Sequence, residues 1–170
     1  MFQKKGALII EDDKTHSDEL IQVLQDLGID SIHVATHLQR AKELLLDALT
    51  GCDLGIVILD GEFPSSGDLG PLERAQEVAR DKYGNSRAFW QYLQEKLVEI
   101  SVEHILVLSN SSSLEYNQGF SKQVNYSGIG DDKILHPYTC FAADKDIDKV
   151  GSFVSSMETL LSTSKRKKSG

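Results

Sequence analysis

The stretch Gly55-Ile56-Val57-Ile58-Leu59-Asp60-Gly61-Glu62-Phe63-Pro64 restricts the fold more than any other part of this chain. A run of β-branched and apolar residues ends abruptly in a carboxylate, and turn-forming Gly61 and Pro64 follow at once. An apolar run of this length between turn residues predicts a strand buried on both faces. Asp60 then stands at the carboxyl end of a central strand, the place where open α/β sheets collect ligands and chemistry.

The rest of the chain alternates strand-like and helix-like patterns around that strand. Gly6 to Ile10 is short and apolar and leads directly into Glu11-Asp12-Asp13. Thr15 to Leu27 carries Leu20, Val23, Leu24 and Leu27 at helical spacing, with Gly28 as the stop. Ile29 to Ala35 predicts a second strand. Thr36 fits the first position of a capping box for a helix with Leu38, Ala41, Leu45, Ala48 and Leu49 on its apolar face. After the Asp60 strand, residues 65–83 read as an insertion: a Ser- and Gly-rich loop, then a short helix opened by Pro71, forming a flap near the end of the sheet. A further helix runs from Gly84, with Phe89, Leu93, Leu97 and Ile100 inward. His104 to Leu108 predicts a fourth strand ending at Ser109. Ile134-Leu135 predicts a fifth that leads into His136-Pro137, and a last helix spans about Lys145 to Leu161. Five strands alternating with helices predict a doubly wound parallel sheet with helices on both faces.

Charge and composition narrow the function. The chain carries a net charge of −8; its 18 Lys and Arg, less the four of Lys165-Arg166-Lys167-Lys168, set against 26 Asp and Glu, leave −12 over residues 1–162. A body this acidic repels nucleic acid, so no direct nucleic-acid contact is expected. Residues 163–170 read as a basic, disordered tail. No apolar run approaches the roughly 20 residues of a membrane span. Cys52 and Cys140 are too few for a disulfide framework and have no metal-ligand neighbours, which fits a reduced, cytoplasmic home.

In a parallel sheet with right-handed crossovers the carboxyl ends of all strands share one edge. That edge gathers Glu11, Asp12 and Asp13, then Asp60, Ser109 and His136. Carboxylates and a hydroxyl form a hard oxygen site suited to Mg²⁺. A carboxylate beside such an ion is a competent nucleophile toward phosphorus.

With these motifs in place the sequence resembles the receiver domain of bacterial two-component response regulators. The matching elements are Leu8-Ile9-Ile10-Glu11-Asp12-Asp13, Leu59-Asp60-Gly61-Glu62-Phe63-Pro64, Val107-Leu108-Ser109, and Asp131-Asp132 leading to His136-Pro137. The resemblance covers about residues 6–162. It implies that Asp60 accepts a phosphoryl group from a histidine kinase or phosphotransfer protein. It also implies that Glu11, Asp12, Asp60 and the backbone carbonyl of Glu62 hold Mg²⁺, and that Ser109 is the switch hydroxyl. The side chains of Glu62 and Ser111 fall where the family tunes the lifetime of its acyl phosphate. With no output domain expected after residue 162, the signal is expected to pass to a downstream protein by direct contact. The chemistry is self-catalysed phosphotransfer rather than turnover.

Two positions depart from the family pattern. His136 stands where the family has a lysine, and Lys133 where it commonly has an aromatic residue. Three readings stay open: a protonated His136 replaces the lysine, Lys133 or another lysine reaches in, or the site has lost its switching chemistry. In the last case the fold is a pseudo-receiver, an interaction module without phosphotransfer. A reading from another class is a Toprim-like metal-dependent nucleic-acid enzyme, which Glu11 and Asp60-x-Glu62 echo. The acidic body, Pro64 and the Ser109 strand end argue against it.

Overall fold

A computed structural model describes residues 6–51, 53–100, 105–109 and 140–144. The chain runs β1 (Gly6–Ile10), α1 (Lys14–Asp26), β2 (Ile32–Ala35), α2 (Leu38–Thr50), β3 (Leu54–Leu59), α3 (Pro71–Arg80), α4 (Gly84–Ile100), β4 (Ile105–Ser109) and β5 (Cys140–Asp144). The strands form one parallel sheet in the order β2-β1-β3-β4-β5. This is the flavodoxin-like order, in which the chain steps outward from β1 to β2 and then back across to β3. The crevice at that reversal lies between the ends of β1 and β3.

Every residue of β1 and β3 is buried, as continuous apolar strands under two helical layers must be. The pleat divides them. Leu8, Ile10, Val57, Leu59 and Val107 point to one face and form a single core with Ala41, Leu45 and Leu49 of α2 and Phe89, Trp90 and Leu93 of α4. The register Leu8↔Val57↔Val107 sets three of them side by side. Ala7, Ile9, Ile56 and Ile58 point the other way and are fully buried. Leu20 and Leu24, the buried apolar residues of α1, lie outside the first core and so belong to this second face.

Helix ends follow the local chemistry, with two differences from expectation. α1 stops in a Schellman arrangement: Gly28 takes φ 86°, its N–H donates to Gln25 O at 2.9 Å, and Ile29 N donates to Leu24 O at 3.0 Å. Only glycine adopts that backbone without strain. The cap of α2, however, is His37 rather than Thr36. Its Nδ1 accepts from Arg40 N at 3.2 Å, while the Gln39 amide that a Thr36 cap would have served donates to Ser65 O at 3.1 Å.

The second difference matters more. The strand that pairs with β4 is Cys140–Asp144, not Ile134-Leu135. Both are short apolar runs. Which one joins the sheet is decided by pairing with β4, a non-local contact that no local pattern reveals. The fifth strand therefore ends at Asp144, and His136 is not its terminal residue. His136, Lys133 and Ser111 themselves lie outside the described residues, as do the last helix and the basic tail. Among the described residues no helix is long and apolar enough to cross a membrane.

Candidate functional site

Two backbone hydrogen bonds build the site by continuing the sheet one residue past its strands. Glu11 N donates to Ala35 O at 3.0 Å, and Asp60 N donates to Ile10 O at 3.0 Å. These hold the end of β1 between β2 and β3 and set Asp60 beside the β1 acids. Glu11, Asp12 and Asp60 each present a carboxylate oxygen, and these oxygens lie within 4.8 Å of one another.

The three acids have different surroundings. Glu11 is buried, with 4% of its surface exposed. Its Oε1 accepts from Asp13 N at 3.2 Å, and its Oε2 lies 3.4 Å from His16 Nδ1. Asp12 is exposed as a residue, yet neighbouring atoms partly desolvate its carboxyl. That desolvation, with the charge of Asp60 next and Glu62 a lesser contributor, raises its pKa above the ordinary aspartate value. A backbone hydrogen bond and Arg74 oppose the rise. Carboxylates crowded in this way disfavour their own charged forms, which is the condition a divalent cation relieves.

Asp13 takes a different role from its neighbours. It is the N-cap of α1, and its Oδ1 accepts from Thr15 N at 3.0 Å and His16 N at 3.3 Å. Ser109 is delivered to the same edge by register. It pairs with Leu59, the residue before Asp60, on one side and with Asp144 on the other.

The inserted segment supplies groups that strand-end reasoning misses. No residue of α3 is buried, so polar contacts must hold it. Glu77 is the centre of them. Its carboxylate accepts from Ser65 N at 2.9 Å, from Ser65 Oγ at 2.6 Å and from Asn85 Nδ2 at 2.6 Å. Asn85 Nδ2 also donates to the carbonyl of buried Phe63 at 2.9 Å. The latch thus joins α3 and the start of α4 to the loop that follows Asp60. Arg74 Nη2 lies 3.6 Å from Glu62 Oε1, and Lys82 Nζ lies 3.9 Å from Glu62 Oε2. The Glu62 side chain therefore faces the insertion. Pro71 and the apolar residues Leu72, Ala75, Val78 and Ala79 announce the helix that carries Arg74 and Glu77, but nothing in the sequence marks those two side chains or His16.

Glu77 illustrates how the latch responds to acid. Partial burial disfavours its charge, but hydrogen bonds from Ser65 and Asn85 and the charge of Arg74 outweigh this and lower its pKa. A carboxylate with a depressed folded-state pKa contributes stability above its unfolded value and loses it as pH falls through the folded value. Glu77→Gln is expected to loosen α3 by about 1.5–3 kcal/mol, the range for hydrogen bonds to charged groups. Amide hydrogen exchange across Pro71–Arg80 reads this out. Wild-type protection should fall on acidification below the ordinary glutamate range, and the variant should lack that acid-dependent loss.

No protein-family profile matches the chain, and no curated protein matches it. Among solved structures it is similar to the signal receiver domain of a modulated diguanylate cyclase from Desulfovibrio desulfuricans G20, described as an example of alternate folding. That likeness has 18% identity and a TM-score of 0.46 over 96% of this chain and 98% of the other. It is also similar to a structure containing a trimeric coiled-coil segment of yeast Spc42 as a fusion, at 13% identity and a TM-score of 0.49 over 99% of this chain and 83% of the other.

Proposed function

We propose that this chain is a phosphoryl-accepting receiver module. In it Asp60 takes a phosphoryl group from a histidine kinase or phosphotransfer protein, and the change is passed on by protein–protein contact. The observation that carries the reading is the meeting of Glu11, Asp12 and Asp60 at the reversal of a β2-β1-β3-β4-β5 sheet, with oxygens within 4.8 Å. The register that brings Ser109 beside Leu59 supports its role as the switch hydroxyl.

Glu11, Asp12 and Asp60 would hold Mg²⁺, with the Glu62 carbonyl as a further ligand on the strength of the sequence resemblance. When bound, the ion offsets the charge of the carboxylates and of the phosphoryl oxygens. Asp60 supplies the nucleophile: a carboxylate oxygen attacks phosphorus, and the bond from phosphorus to the leaving atom breaks. Buried Glu11, held by the Asp13 amide and approached by His16, acts as the fixed wall of the site.

The test is incubation with acetyl phosphate and Mg²⁺, followed by intact mass. A gain of one phosphoryl group is expected in the wild type and not in Asp60→Asn. Labelling that survives Asp60→Asn defeats the assignment of the acceptor. A wild type that never takes label leaves the fold as an interaction module without phosphotransfer.

A further inference from the structure

We propose that Arg74, carried on the inserted helix α3, binds the incoming phosphoryl donor by exchanging its contact with Glu62 for a phosphoryl oxygen. This rests on the phosphotransfer reading above and adds a donor-binding residue to it. Three carboxylates leave the site negative even with Mg²⁺ bound, so a further cation at its edge favours a dianionic donor. Glu62 lies two residues after Asp60, on the loop that leaves the end of β3. Arg74 reaches it at 3.6 Å and reaches Glu77 at 3.7 Å, with 23% of its side chain exposed.

Both contacts are longer than the roughly 2.7–2.9 Å of a strong charge-assisted hydrogen bond, so Arg74 gives one up at little cost. Its planar fork suits phosphate oxygens better than it suits two separate carboxylates. Lys82, 3.9 Å from the other Glu62 oxygen, remains to balance Glu62 when Arg74 turns away. The helix stays in place during the exchange because Glu77 holds Ser65 and Asn85 independently of Arg74.

In the step itself, an Asp60 oxygen forms a bond to phosphorus while the bond from phosphorus to the donor's acyl oxygen breaks. Acetate leaves with that electron pair when acetyl phosphate is the donor. Arg74 gives and takes no proton.

The experiment measures initial rates of phosphoryl incorporation against acetyl phosphate concentration at saturating Mg²⁺. Arg74→Ala is expected to raise the apparent KM about tenfold, the effect of one lost charge-assisted hydrogen bond, with the maximal rate little changed. Arg74→Lys should restore part of the loss. Glu62→Gln, which leaves Arg74 and the Glu77 latch in place, should lower the apparent KM by removing the competing carboxylate. An unchanged KM in Arg74→Ala, or a Glu62→Gln variant whose KM does not fall, overturns the assignment of Arg74 while leaving Asp60 labelling intact. A wild type without label instead removes the phosphotransfer reading.

Discussion

Asp12→Asn is expected to abolish stabilisation by Mg²⁺. At a concentration a hundredfold above its Kd, an ion that binds only the folded state adds about 2.7 kcal/mol to the wild type. The variant should gain almost none, as thermal unfolding with and without Mg²⁺ would show. Without metal the order reverses. The folded-state pKa of Asp12 is raised, chiefly by desolvation and then by Asp60. A group of that kind gives its full stability below the unfolded pKa and loses it as pH rises through the folded one. Metal-free wild type should therefore weaken as pH climbs out of the ordinary aspartate range, and Asp12→Asn should lack that decline. Because Asp12 is exposed, this pH effect is smaller than the effect of the metal. A wild type whose unfolding temperature ignores Mg²⁺ would contradict the metal assignment directly.

Phe89→Ala is expected to be the most damaging change away from the site. Phe89 is fully buried at the junction of α4, α2 and the β1–β3 face, in one core with Leu45, Leu49, Val57 and Trp90. Truncating a buried phenylalanine costs about 3–5 kcal/mol, from lost transfer energy and from the cavity left behind. Domains are commonly stable by only about 5–15 kcal/mol, so the variant should approach the unfolding threshold. Urea denaturation monitored by circular dichroism measures this. Phe89→Leu should cost roughly 1.5 kcal/mol or less, because most of the volume is kept. A loss in Phe89→Ala below about 1 kcal/mol would mean that α4 does not carry the packing described here.

The two central strands were legible because they are apolar on both faces and each leads into an acid. Gly6–Ile10 and Leu54–Leu59 were recognisable without any partner, since burial on two sides removes polar residues from a strand whatever surrounds it. Leu45, Leu49 and Leu93 were legible for the related reason that helical spacing puts them on one face. Glu11, Asp12 and Asp60 followed from strand ends alone, because parallel strands share an edge.

What the sequence by itself determined, then, is which acids reach the edge of the sheet. Tertiary structure decided how they are used. Asp13, adjacent to Asp12, turns away to cap α1, since its side chain reaches the free amides of Thr15 and His16. Cys140–Asp144 pairs with β4, where the local pattern pointed to Ile134-Leu135, because a strand is selected by the backbone groups it pairs with. Arg74 comes beside Glu62, two residues after Asp60, on a helix that buries nothing and that Glu77 ties down to Ser65 and Asn85. Side-chain burial leaves a periodic mark on a sequence. A polar contact between residues distant in the chain leaves none, so the acids could be read from strand ends while the cations facing them could be found only in the fold.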